Sequence, residues 1–218
     1  MAKYGIIVDL DRCTGCMTCV IACKQENLTR PTVWWDKILE LESEILDRIT
    51  YLRYACMHCN NPPCLKACSR GAIHQRPDGI VFIDHERCEG ARDCAKACPY
   101  GVIDINPAAD YFPSQTMPYE HERDTQRRHP PGKASICTLC VHRIEAGQEP
   151  VCVVGCPSKA MIFGDLDDPT SLIHKKLGKS APLLATEGTH PKVRYICSDN
   201  LLKEIEVRIR NNPKMARQ

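Results

Sequence analysis

The chain has 218 residues, a formal net charge of +2 and 16 cysteines, with aromatics at 6% and only 3 phenylalanines. So small a charge, with no basic repeat, gives no sign of a nucleic-acid partner, and no run reaches the 18 or more apolar residues of a membrane span, so no direct span is expected. An apolar core this thin for its length, beside a cysteine fraction several times ordinary usage, means that disulfides or metal must help order the chain.

In chain order, "MAKYGIIVDLDRC" reads as a short strand running straight into a cysteine loop, neither a secretion signal nor a twin-arginine leader. The first cysteine group, Cys13, Cys16, Cys19 and Cys23, has the spacing C-x2-C-x2-C-x3-C. In residues 33–54, "VWWDKILELESEILDRITYLRY", β-prone stretches flank an acidic centre, which predicts a hairpin with Trp34 and Trp35 as packing residues. The second group is Cys56, Cys59, Cys64 and Cys68. The third, "CEGARDCAKACP", holds Cys88, Cys94, Cys98 and Pro99, but Ala91 stands at the second position of the C-x2-C-x2-C-x3-C-P pattern. Residues 107–134 are Pro-rich, charged and aperiodic, a surface loop whose Arg123, Arg127 and Arg128 either dock a partner or are simply solvated. The fourth group is Cys137, Cys140, Cys152 and Cys156, followed by Pro157. Cys197 stands alone in an expected strand, "VRYIC", as a buried structural thiol. The end, "SDNLLKEIEVRIRNN", predicts a helix with Leu201, Leu202, Ile205 and Ile209 on one face and Asp199 as its cap.

Three chemistries compete for these cysteines. Thiols two residues apart on a turning loop converge on one centre and pair poorly into unstrained disulfides with distant partners. Zinc takes four ligands, usually as two separated pairs, which suits the fourth group alone but not the crowded first. An iron–sulfur cubane spreads its corners around such a loop. In two-cluster proteins the first three cysteines of a run hold one cluster and the fourth ligates the other; the fourth is expected to open a short helix leading to the neighbour. Groups two and three are adjacent, leaving one and four together. The expected sets are Cys13, Cys16, Cys19 with Cys156; Cys137, Cys140, Cys152 with Cys23; Cys56, Cys59, Cys64 with Cys98; and Cys88, Cys94 with Cys68. Gly15 and Gly90 would let backbone approach the sulfides. His58 and His142 are read as packing residues or as residues that tune the sulfurs.

Two repeats set the expected fold. "GIVFIDHERCEGARDCAKACPYGVIDIN" reads strand, loop, helical turn, strand; "YGIIVDLDRCTGCMTCVIACK" repeats its first half and "VCVVGCPSKAMIFGD" its second. The expected class is α+β: two interleaved bacterial-type two-cluster ferredoxin modules with short strands and helices, rich in loops, and a C-terminal helix. Module A would take residues 1–27 with 135–165, an insertion 28–52, module B 53–106, the surface loop 107–134 and a C-terminal arm 166–218.

No substrate-processing constellation is visible, neither a Ser-His-Asp order, a G-x-G-x-x-G, a Walker loop nor an H-E-x-x-H. The order of groups, with "CMHCNNPPC" second and "CTLCVHRIEAGQEPVCVVGCP" fourth, and "GDLDDPTSLI" and "HPKVRYI" downstream, resembles the iron–sulfur subunit of the DMSO-reductase family of molybdenum or tungsten enzymes. The resemblance spans almost the whole chain. It implies a non-catalytic electron-transfer subunit carrying four clusters. The partners would be a large Mo/W-bis-pterin catalytic subunit and a quinone-reactive membrane subunit or a cytochrome. It also implies co-export to the periplasmic face of the membrane with a signal-bearing partner, a cytoplasmic site being the alternative. At Ala91 it implies three [4Fe–4S] clusters and one [3Fe–4S] cluster, the last held by Cys88, Cys94 and Cys68; Asp93 through oxygen, or Cys197, are the rival fourth ligands. A polyferredoxin-type delivery subunit of another complex, such as a tungsten aldehyde or benzoyl-CoA-type enzyme, is the alternative function.

Overall fold

In the computed structural model, residues 2–43, 47–107 and 129–211 are described. Strand β1 (Tyr4–Asp9) carries the run Gly-Ile-Ile-Val, buried on both faces. Such a run belongs inside a sheet rather than at its edge. It pairs antiparallel with β8 (Met161–Asp165) on one side and parallel with β10 (Val193–Ile196) on the other, and β9 (Ala181–Pro182) completes the order β8-β1-β10-β9. The sheet therefore joins the beginning of the chain to its last third.

Strands β2 (Asp36–Ser43) and β3 (Arg48–Ala55) form the expected hairpin. In β2, Leu39, Leu41 and Ser43 turn inward while Glu40 and Glu42 face water, the period-2 pattern of a half-buried strand. β3 runs on to Ala55 and so delivers the chain directly into Cys56. Two small antiparallel pairs follow: β4 (Ile73–Gln75) with β5 (Val81–Ile83), and β6 (Asp104–Ile105) with β7 (Ala134–Ser135). Residues 108–128, with Arg123, Arg127 and Arg128, lie outside the described residues.

The helices are short. α1 (Thr18–Asn27) packs on α5 (Val151–Val154), and α2 (Pro63–Ala67) on α3 (Asp93–Ala97). α4 (Val141–Glu145) and α6 (Leu172–Lys176) are single turns or little more. α7 (Asp199–Asn211) buries Leu201, Ile205 and Ile209, while Leu202 is only half-buried. The N-cap differs from expectation. The Leu201 N–H donates to Ser198 Oγ at 3.3 Å, so Ser198 caps the helix and Asp199 is its first residue. Cys197 likewise falls one residue beyond β10 rather than within it.

Three buried tyrosines tie these layers together. Tyr54 OH donates to the Tyr100 carbonyl at 2.9 Å, Tyr100 OH shares a hydrogen with Thr189 Oγ1 at 2.6 Å, and Tyr195 OH donates to the Arg53 carbonyl at 2.9 Å. A core with few aromatics thus uses them where a polar tip can also be satisfied. Among the described residues no helix is long and apolar enough to cross a membrane.

Candidate metal centres

Each cysteine group folds by the same local rule. The residue two after the first cysteine takes the left-handed conformation in all four loops: Gly15 at φ 69°, His58 at 43°, Gly90 at 74° and Leu139 at 54°. Such a turn points successive backbone N–H groups into one concavity, the nest that receives anions and iron–sulfur clusters. Only the two glycines announce it in the sequence. For His58 and Leu139 the conformation costs roughly 1–3 kcal/mol each and persists because the surroundings impose it. The glycines are needed for space as well, since a Cβ at Gly15 would run into the Tyr51 ring and one at Gly90 into the Gly132 carbonyl oxygen.

The third cysteine, not the fourth, opens the short helix. Cys19, Cys64, Cys94 and Cys152 are each the second residue of α1, α2, α3 and α5. The fourth cysteine stands four residues on: Cys23 one turn further along α1, Cys68 and Cys98 directly after α2 and α3, Cys156 just after α5. The spacing C-x3-C sets the two cysteines about one turn apart, which is compatible with either reading and left the expectation on the wrong residue.

The cysteines gather in four sets. Cys13, Cys16, Cys19 and Cys156 line one cavity, with Val8, Ile38 and Arg53 in its wall. Cys56, Cys59, Cys64 and Cys98 line a second with apolar walls that include Val81 and Ile136. Cys68, Cys88 and Cys94 line a third together with Ala91 and Asp93. Cys23, Cys137, Cys140 and Cys152 are all buried, and Asn27 Nδ2 reaches both Cys23 Sγ at 3.5 Å and Cys140 Sγ at 3.8 Å. Among the described residues no three His, Cys, Asp or Glu side chains are grouped tightly enough to hold one metal ion.

Backbone donors already reach several sulfurs. The N–H groups of Ala72, Ala134, Leu139 and Ala160 donate to Cys68, Cys88, Cys137 and Cys156 at 3.3 to 3.5 Å. His58 accepts the Val81 N–H on Nδ1 at 3.1 Å, so its ring hydrogen sits on Nε2, which is buried and has no hydrogen-bond partner among the described residues. That leaves a buried donor, on the residue preceding Cys59, of a kind that fits an inorganic sulfide. Burial pushes the thiols up, Cys59 to about 11 and Cys19, Cys64 and Cys137 to about 12. The exposed Cys16 goes the other way, lowered by the Thr18 hydroxyl at 3.4 Å. The donor sets, N–H nests and apolar walls fit iron–sulfur clusters.

The remaining candidates fall elsewhere. Asp93 opens α3 and holds Lys96 at 3.0 Å, both side chains substantially exposed. Cys197 is half-buried and absent from the walls of the Ala91 cavity; burial raises its thiol to about 11, and Asp11 and Asp199 are its charged neighbours. Of the two rival fourth ligands at Ala91, Asp93 lines that cavity and Cys197 does not. His142 pairs with Glu26 at 2.8 Å at the surface. Trp35 is buried, donates to Ser135 Oγ at 2.7 Å and meets the His129 ring edge-on, while Trp34 lies under the Lys24 ammonium. Sequence reading missed Arg53, Asp36, Asn27 and Lys192. Arg53 and Lys192 are the largest cations among the fully buried side chains.

Two family models match the chain: a 4Fe-4S dicluster domain over residues 48–112 and again over 109–166, and a 4Fe-4S binding domain over residues 4–25. A putative dimethyl sulfoxide reductase iron–sulfur subunit of Halobacterium salinarum is 38% identical, covering 90% of this chain and 79% of its own. The arsenate respiratory reductase iron–sulfur subunit of a Shewanella species is 36% identical over 90% of this chain and 97% of its own. A component of the anaerobic dimethyl sulfoxide reductase of Escherichia coli is 32% identical over 88% and 87%. With cysteine nests, buried sulfur donors and these relatives in agreement, this protein belongs to the iron–sulfur electron-transfer subunits of the DMSO-reductase family.

Proposed function

We propose that the chain relays single electrons through four iron–sulfur centres, between a Mo/W-bis-pterin catalytic subunit and a quinone-reactive membrane subunit or a cytochrome. The observation that carries this reading is the order in which the four cysteine sets touch. Arg53 lines the cavity of Cys13, Cys16, Cys19 and Cys156 and also reaches Cys152 Sγ at 3.8 Å, which links the first set to Cys23, Cys137, Cys140 and Cys152. Cys56 packs against Cys23, Val33, Trp35 and Cys137, which links the set of Cys23, Cys137, Cys140 and Cys152 to that of Cys56, Cys59, Cys64 and Cys98. Cys56, Cys64 and Cys98 in turn pack against the apolar core that contains Cys88 and Cys94. These three links join the four sets in series, as a wire requires.

The spread of three of the sets around cavities, rather than around one point at the roughly 2.3 Å of a zinc–thiolate bond, supports clusters over single ions. The pairing of β1 with β8 and the packing of α1 on α5 support an interleaved module A, with module B lying between its halves. At the end of the line we assign a [3Fe–4S] centre to Cys68, Cys88 and Cys94. Ala91 offers no donor, and Asp93 is engaged with Lys96; oxygen is also the harder ligand in a sulfur-rich site. The other three sets would hold [4Fe–4S] clusters, each one a one-electron carrier whose potential the protein tunes through charge, hydrogen bonds and exposure.

The test is EPR of the anaerobically purified, mildly oxidised complex, with iron counted. A three-iron centre is paramagnetic when oxidised, so one spin per chain is expected, and Ala91→Cys should abolish it while adding one iron. Iron for four full cubanes with no signal would overturn the three-iron assignment. Purification without a pterin-bearing large subunit would favour a polyferredoxin-type delivery role.

A further inference from the structure

The hairpin holds an ion pair where an apolar pair would serve the fold as well. Arg53 Nε meets Asp36 Oδ1 at 2.8 Å, with side chains 2% and 0% exposed. Stripping two charges of water consumes most of what their attraction returns, so a buried salt bridge is weak evidence for stability. The pair stands between the first two cysteine sets: Arg53 borders the cavity of Cys13, Cys16, Cys19 and Cys156, and its Nη2 lies 3.8 Å from Cys152 Sγ. Tyr195 fixes the strand behind it through the Arg53 carbonyl. A charge this deeply buried acts through a low dielectric and is felt strongly by its neighbours.

We propose that Arg53 is an electrostatic tuning residue of the relay, raising the reduction potential of the centre at Cys23, Cys137, Cys140 and Cys152, with Asp36 positioning the guanidinium and opposing its field. This inference rests on the cluster reading above. Arrival of one electron adds one negative charge to the centre and neither makes nor breaks a bond in the protein. The guanidinium keeps its proton throughout, so it stabilises the reduced form by charge alone, and the carboxylate disfavours it.

The test is a potentiometric EPR titration of the intact complex, poised with dithionite and mediators, in wild type, Arg53→Gln, Arg53→Lys and Asp36→Asn. Arg53→Gln should weaken reduction of this centre at least tenfold, 59 mV for a one-electron couple. Asp36→Asn should strengthen it, and Arg53→Lys should lie nearer wild type than Arg53→Gln. The two centres of the far pair should not move. Because each single variant leaves a buried charge alone, the double variant Arg53→Gln, Asp36→Asn guards against misfolding; with the nearer charge positive, it should also fall below wild type. Shifts of the same sign in Arg53→Gln and Asp36→Asn, equal shifts at all four centres, or unmoved potentials would overturn the tuning role while leaving the relay intact. A wild-type chain without iron–sulfur signals would overturn both.

Discussion

Replacing Gly90 by alanine isolates what the nest contributes at the site that lacks a cysteine. Gly90 holds φ 74°, and a Cβ there meets the Gly132 carbonyl oxygen, a backbone atom that cannot rotate away. The left-handed conformation alone costs an alanine roughly 1–2 kcal/mol. Forcing a methyl against fixed backbone adds about 1–3 kcal/mol. For a chain of this size each kcal/mol lowers Tm by roughly 2–4 °C. Gly188 is the control, since it is also left-handed at φ 65° but has nothing within 4 Å of a built Cβ. The assay is thermal unfolding together with EPR spin counting of the oxidised protein. Gly90→Ala should lose most of the three-iron signal and spare the other centres, with a larger Tm fall than Gly188→Ala. If Gly90→Ala keeps the signal and matches the control, the close packing of the 88–94 loop under residue 132 does not shape the site and the reasoning fails.

Other outcomes follow from the same geometry. Cys197→Ser should leave the iron content and all four signals unchanged, because its neighbours are Asp11 and Asp199; loss of the three-iron signal would restore it as a ligand. Ser198→Ala should cost about 1 kcal/mol, a typical N-cap loss, and Asp199→Ala distinctly less, as read from paired melting curves. Iron loading should strengthen with rising pH. Burial raises Cys59 to about 11 and Cys64 to about 12, so these thiols are protonated near neutrality and each must release a proton to bind iron. A dye-monitored reconstitution that releases no protons, or loads better at pH 6 than at pH 8.5, would refute this.

The cysteine spacings wrote the loops into the sequence, because a thiolate every third residue constrains a local turn whatever surrounds it. The hairpin and the final helix were equally visible as patterns of period 2 and 3.6. What stayed hidden depends on distant partners. In "RITYLRYA" Arg53 looks like an ordinary polar strand residue, and only Asp36, across the hairpin, explains its burial. Leu139 gives no hint of a left-handed backbone, and His58 only a faint one, since histidine is enriched there but still far more common elsewhere. The parallel pairing of β1 with β10 leaves no local trace, as its partners stand near opposite ends of the chain.

That pairing also dictates a schedule. On a ribosome adding roughly 5–20 residues per second, β1 emerges early but waits for β8 and then β10 before its edges are covered. The first cysteine loop meanwhile stands without Cys156, whereas the loops at Cys56 and Cys88 come out close together and can close while synthesis continues. On the ligand sets proposed above, iron supplied during synthesis would find the middle pair of sites complete before the outer pair. On those sets, a nascent polypeptide stalled before residue 156 would hold all ligands of the interior pair but leave Cys13, Cys16 and Cys19 an open, oxidisable triad.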